Sequence, residues 1–149
     1  MLDSHDVQQH YRTLRTTLRE TLSGLTEDQM TERTIDGWSA KDHLTHLAFW
    51  DRLRAGEIVR ISAGYQSGCG FSEEQVEQLN QIDHALFAAC SLEQAWWEVE
   101  RAHQSVLDAV ASASPRGLEP ERYSDAALQS DHEAEHIGWL RGWRGRMGY

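Results

Sequence analysis

Between Ser4 and Leu22 the apolar side chains Val7, Tyr11, Leu14, Leu18 and Leu22 recur at intervals of three and four, the period of one helix face. A first helix is predicted there. The stretch SGLTEDQM, residues 23–30, closes it and begins an irregular link. The second helix is predicted within DGWSAKDHLTHLAFWDRLRAGEIVRI, residues 36–61, with Ser39 as N-cap and Asp42 three residues on completing an approximate capping box. Residues 62–72, SAGYQSGCGFS, are glycine-rich and predict a mobile loop. Ser72 then caps a third helix over EEQVEQLNQIDHALFAA, and Ser91 with Gln94 starts a fourth over LEQAWWEVERAHQSVLDAVA. Both prolines, Pro115 and Pro120, fall in a second loop, SASPRGLEPERY. The last helix is predicted to open at Ser124 or Asp125 and to reach Arg144. Little of the chain alternates with the period of a strand, and no internal repeat is present. Four or five helices, the third short or bent, predict an all-α helical bundle.

Length and composition leave that picture in place and narrow the partners. A chain of 149 residues reads as one domain, 1–149, large enough to bury a core without disulfides. No apolar run approaches the roughly 18 residues needed to cross a bilayer. The N-terminal MLDSHDVQQHYRTLR lacks the basic start and apolar block of a secretory signal, so a cytoplasmic protein with no membrane partner is expected. The net charge is −10, and no Lys/Arg cluster precedes the tail RGWRGR. Nucleic acid is therefore not expected as a partner, because phosphate binding needs several cationic contacts. Cys69 and Cys90 lack C-x-x-C spacing. Cys69 reads as an incidental thiol, since neither a base nor a helix start adjoins it, and Cys90 reads as core.

Histidine changes the picture. There are eight. His5, His10, His84 and His103 stand singly, and each reads as structural. His132 and His136 differ: four residues apart on a helix, they project from one face, about 40° apart. Leu128, Trp139, Leu140 and Trp143 continue that face. Buried imidazoles need partners for their nitrogens. A divalent metal is one, and carboxylates or waters are the other. A metal needs a third protein ligand. His46, two turns into the second helix and flanked by Leu47, Phe49, Trp50 and Leu53, is best placed; His43, one turn earlier, is expected at the rim. Within this region Trp50, Trp139 and Trp143 are candidates to line a pocket, with plain core packing as their other reading. Glu133 and His43 are candidate catalytic groups, and Glu135 is a candidate to orient a ligand histidine or move a proton.

The stretch His132-Glu133-Ala134-Glu135-His136 also spells H-E-x-x-H, the zinc-peptidase signature. That reading fails on its continuation. Thirteen residues follow His136, and none is His, Asp, Glu or Cys. In the extended form of the signature Trp139 stands where Gly belongs and Gly142 where the third His belongs. Nor is a sheet edge predicted to receive a peptide.

GWSAKDHLTHLAFWD resembles the W-S-x-K-D-x-x-x-H-L motif of the DinB/YfiT-like superfamily, nearest the branch grouped with ClbS and DfsB proteins. HEAEHIGWLRGW resembles that branch's terminal H-x-x-E-H-x-x-W-x-R-x-W pattern; Asn80 and the fourth helix also match in place. The resemblance spans nearly the whole chain. It implies a four-helix bundle of up-down-down-up topology, commonly a homodimer, with a nickel or zinc ion held by His46, His132 and His136. It also implies a choice of activities. Relatives include thiol S-transferases that use bacillithiol, mycothiol-dependent isomerases and resistance proteins acting on electrophilic toxins. The expected function is thus a metal-dependent transferase joining a low-molecular-weight thiol cosubstrate to an electrophilic small molecule. A metal-dependent hydrolase of small amides or lactones and a non-catalytic stress or ligand-binding protein are the alternatives. The glycine-rich loop departs from the family pattern, so substrate contacts do not carry over.

Overall fold

Side-chain oxygens set where most helices begin. Asp3 accepts from the backbone N–H groups of His5 and Asp6 and starts α1, Ser4–Leu22. Ser39 and Asp42 form a reciprocal capping box at the head of α3, Ala40–Ser62, as do Ser72 and Gln75 for α4, Glu73–Phe87. Ser91 caps α5, Leu92–Ala111, through the N–H of Gln94. A capping box between Thr26 and Gln29 builds a further short helix, α2, Glu27–Thr31, where an irregular link was expected. The last helix is α6, His132–Met147, and two 3-10 turns occupy Pro115–Leu118 and Pro120–Arg122. This computed structural model describes residues 1–149. It is all-helical apart from one isolated bridge between Ile35 and Trp38, and no helix is long and apolar enough to cross a membrane.

α6 starts about seven residues later than the sequence predicts. The backbone of residues 125–130 is claimed by other elements before a helix can use it. Tyr11 donates its hydroxyl to the Leu128 carbonyl at 2.6 Å, and Arg54 donates Nε to the Ala127 carbonyl at 2.7 Å. Asp125 donates its N–H to the Cys69 carbonyl, and a His10 ring nitrogen lies 2.9 Å from the Ser130 carbonyl. Ala126 and Leu128 are fully buried by the same contacts. Tertiary bonds replace the i→i−4 ladder, so His132 becomes the first residue of α6.

The loop over residues 62–72, expected to be mobile, is tethered. The buried carboxylate of Glu57 accepts from the Ser67 hydroxyl and the Gly68 N–H. Arg60 donates to the Gln66 carbonyl, and Phe71 donates its N–H to Asp125. Gly117 lies so close to α3 that a Cβ there would sit 1.9 Å from Ser62 Oγ.

Helices α1, α3, α5 and α6 enclose the core, with α3 packed chiefly on α5 and α4 laid mainly against α3. Ser39, the N-cap of α3, and residues 40–48 of the helix are buried without interruption. There are two apolar clusters. One gathers Leu18, Leu22, Leu44, Leu47, Val99, Leu140 and Trp143, the other Val7, Tyr11, Ile58, Val106, Val110 and Leu128. Full burial of each aliphatic side chain is worth about 1.5–3 kcal/mol over exposure. Between the clusters along α1 and α3 come the charged residues Arg15, Asp51 and Arg54. Arg15 donates to Glu133 Oε1 at 2.8 Å, to Asp51 Oδ2 at 3.3 Å and to the Val99 carbonyl at 2.9 Å, and Arg54 donates to Asp51 Oδ1 at 2.6 Å. Two cations and two anions balance in this buried layer, which meets the requirement that buried charges be paired.

Candidate metal centre

The layer ends at the histidines. His46 comes from α3, and His132 and His136 from the first two turns of α6. His46 Nε2 and His136 Nε2 each lie 3.1 Å from His132 Nε2. Tetrahedral bonds of about 2.0–2.1 Å would separate ligand nitrogens by about 3.3 Å, so this spacing fits one small cation. All three offer ligand atoms within 4.8 Å of one another. The three predicted ligands are therefore brought together, by two helices far apart in the chain.

Burial keeps these rings neutral, as ligation requires. It lowers His46 to about 3, helped by His132 and His43. It lowers His132 to about 4, helped by the Arg54 guanidinium and His43. His136 is pushed down further still, by burial first and then by His132, His46 and His43. His46 Nδ1 is buried without a hydrogen-bond partner, so Nε2 is the only nitrogen of this ring that meets a polar neighbour.

His43, expected at the rim, is 4% exposed and packs inside the cluster. Its Nδ1 lies 2.7 Å from His136 Nδ1. Two neutral imidazoles can share that contact only if one Nδ1 carries the proton. For His136 Nε2 to offer a lone pair to the cluster, His136 Nδ1–H must donate to His43 Nδ1. His43 thus fixes the tautomer and orientation of His136. The rim expectation fails because residues 39–48 are buried on every face, not on a single stripe.

The histidines floor a cleft of about 630 Å³. Its walls are Ile35, Asp36 and Trp38 on one side and Glu135, Gly138, Trp139, Gly142 and Arg146 of α6 on the other, with Asn80 between. Trp139 is half exposed, its ring 4.7 Å from His136. Trp38 meets His43 and His46 edge-on at 5.3 and 5.2 Å and stacks on His84 at 5.6 Å. A tight turn aims it. Ile35 and Trp38 exchange both backbone hydrogen bonds, while Asp36 (φ 52°) and Gly37 (φ 86°) take left-handed conformations. Trp38 was not named as a site residue from sequence, although it heads the W-S-x-K-D stretch and follows an Asp-Gly dipeptide that signals a turn. Arg146 was missed as well, because the helix was expected to end at Arg144; the spacing of 135, 138, 139, 142 and 146 puts it on the cleft face of α6.

The other candidates fall elsewhere. Trp50 is buried, donates Nε1 to Asn80 Oδ1 at 2.9 Å, and stands 6.2 Å from the His132 ring. Trp143 is in the core and donates to Thr34 Oγ1, away from the cleft lining. Glu133 is buried and bound to Arg15; its neighbour Glu135, not Glu133, lines the cleft. Burial, with Glu57 next to it, raises the Cys69 thiol to about 11, so it stays protonated. Cys90 is half-buried against the first apolar cluster.

Solved structures share this fold. An uncharacterised protein from Escherichia coli UTI89 superposes with a TM-score of 0.79 at 15% identity, over 97% of this chain and 94% of that one. The colibactin self-resistance protein ClbS, a DinB/YfiT-like fold solved in complex with double-stranded DNA, superposes with a TM-score of 0.62 at 12% identity, over 97% and 93%. No family model matches the chain, and no curated protein matches its sequence.

Proposed function

We propose that this chain is a metal-dependent transferase of the DinB/YfiT-like superfamily, joining a low-molecular-weight thiol to an electrophilic small molecule in toxin or stress resistance. The observation that carries it is the convergence of His46, His132 and His136 Nε2 on the floor of an aromatic-walled cleft. Such a trio suits nickel or zinc. A divalent cation held there with an open position would lower the pKa of a thiol or water brought to it. The remaining work falls to the chain. His43 holds His136 in the tautomer that directs its lone pair inward. Trp38 and Trp139 offer flat apolar faces to the electrophile and exclude water beside it. As the sulfur pair forms the new S–C bond, the leaving group departs with its bonding pair. The thiol proton passes to Glu135 and on to solvent. ClbS, a self-resistance protein, supports the biological setting by its fold alone. Its DNA complex is a property of that protein; here the net charge of −10 favours a small-molecule substrate.

Glu135 in the cleft wall also favours a second reading, hydrolysis of small amides or lactones, because the same carboxylate could take a proton from water.

The test joins elemental analysis to a conjugation assay. Protein reconstituted with nickel or zinc is expected to retain about one equivalent of metal, with His136→Ala losing most of it and His103→Ala none. Conjugation of monochlorobimane is expected to require both metal and an added thiol. Retention of only a small fraction of an equivalent would sink the three-histidine site. Metal-dependent turnover of an ester or lactone with no response to any thiol would replace the transferase by the hydrolase.

A further inference from the structure

The histidine trio has a second side. Beneath it lies a smaller cavity of about 220 Å³ that shares His46, Asn80 and His132 with the large cleft. Its other lining residues include Trp50, Arg54, Asp125 and Ser130. Arg54 is 3% exposed. Its Nε is spent on the Ala127 carbonyl and its Nη1 on Asp51, while Nη2 has no hydrogen-bond partner within the chain. A buried guanidinium with a spare N–H edge on a cavity is a carboxylate donor set. Asp125 is exposed at the same cavity; one of its oxygens accepts from the Phe71 N–H and the other is unused. The cavity therefore presents a cation and an anion together, with the Trp50 ring as an apolar wall and imidazoles at one end. A simple anion would meet repulsion from Asp125, and a simple cation would meet Arg54. A zwitterion satisfies both.

We infer that the small cavity binds the head group of a cysteine-sized α-amino acid thiol, its carboxylate on Arg54, its ammonium on Asp125, and its sulfur beside His46 and His132. This rests on the transferase reading and narrows it. The cosubstrate is an amino acid thiol small enough for 220 Å³, and it enters on the side of the histidines away from Trp139. The electrophile then has the wider cleft to itself.

Binding can be tested without turnover. Titration calorimetry on the metal-reconstituted protein would use S-methyl-L-cysteine, whose capped sulfur has no proton to lose. Two truncated probes accompany it: 3-(methylthio)propanoate, without the ammonium, and 2-(methylthio)ethylamine, without the carboxylate. The intact amino acid is expected to bind at least about tenfold more tightly than either, the worth of one charge-assisted hydrogen bond. Asp125→Asn is expected to weaken the two ammonium-bearing probes by about tenfold and to leave 3-(methylthio)propanoate no weaker than before, since the repulsion from Asp125 is removed. Arg54→Lys should weaken the two carboxylate-bearing probes instead. Arg54 also holds the buried ionic layer, so Asp125→Asn, at an exposed position, decides the matter if the Arg54 variant fails to fold. Equal binding of all three probes, binding of none, or an Asp125→Asn profile identical to the parent overturns the inference. Selective binding without bimane conjugation would keep the cavity assignment and remove the transferase. Conjugation that accepts cysteamine and 3-mercaptopropionate as readily as cysteine would do the reverse.

Discussion

At the scale of single residues, one proton decides how the trio presents itself. It lies between His43 Nδ1 and His136 Nδ1, 2.7 Å apart. Replacing His43 by Phe keeps the ring volume and removes the acceptor, which frees His136 to turn or to change tautomer. Loss of such an outer partner lowers metal affinity by about 10–100-fold. Competition for nickel against a coloured chelator would measure it, and unchanged affinity would show that His43 only fills space. Asp83 is the opposite kind of residue, a polar group with nothing to do. It is 1% exposed, and its Oδ1 has no hydrogen-bond partner. Burial raises its carboxyl from the ordinary 3.8 to about 7; Arg52 opposes the rise and Asp42 adds to it. The unfolded chain gives up this proton near pH 3.8, whereas the folded one holds it to about pH 7. Over that window the native state binds more protons, so the stability this group contributes falls as pH rises. Asp83→Asn is therefore expected to be more stable than the parent by a margin that widens from pH 4 to pH 7 and then levels off. Thermal melts across that range would read it, and a constant margin would contradict the assignment.

At the scale of elements, the turn at residues 35–38 shows how a short segment serves the cleft. Gly37 sits at φ 86°, and a Cβ there would touch nothing within 4 Å. The cost of Gly37→Ala is then purely conformational, about 1–2 kcal/mol. It should appear as a lowered denaturation midpoint together with altered tryptophan fluorescence from Trp38. An unchanged midpoint would mean that the turn relaxes without strain. The helices themselves were largely legible in the sequence. α1 and the caps of α3, α4 and α5 follow from spacing and from Ser-x-x-Asp or Ser-x-x-Gln patterns that act within one turn. The Thr26–Gln29 box was equally local and was overlooked inside a short polar link. The start of α6 was not legible, because the bonds that hold residues 125–130 out of a helix come from Tyr11, Arg54 and His10, far away in the chain.

At the scale of the whole molecule, the same division holds. His46, His132 and His136 could be grouped from helical spacing and motif resemblance. Their convergence nonetheless depends on how α3 and α6 are set against each other, and the Arg15–Asp51–Arg54–Glu133 layer stands at that junction. Helical spacing puts Arg15 on the apolar stripe of α1, four residues after Tyr11 and three before Leu18, but no linear pattern names the distant carboxylates that pair with it there. The second cavity was hidden for the same reason: Arg54, Asp125 and His132 come from three segments. Gly138 and Gly142, which line the cleft, belong with Gly145 to the sixteen-residue α6. Glycine within a helix costs about 1 kcal/mol against alanine. α6 is thus intrinsically weaker than its length would allow, and the weakness falls on the face that must stay open. Beside this cleft, a more stable helix and a roomier site are competing goods.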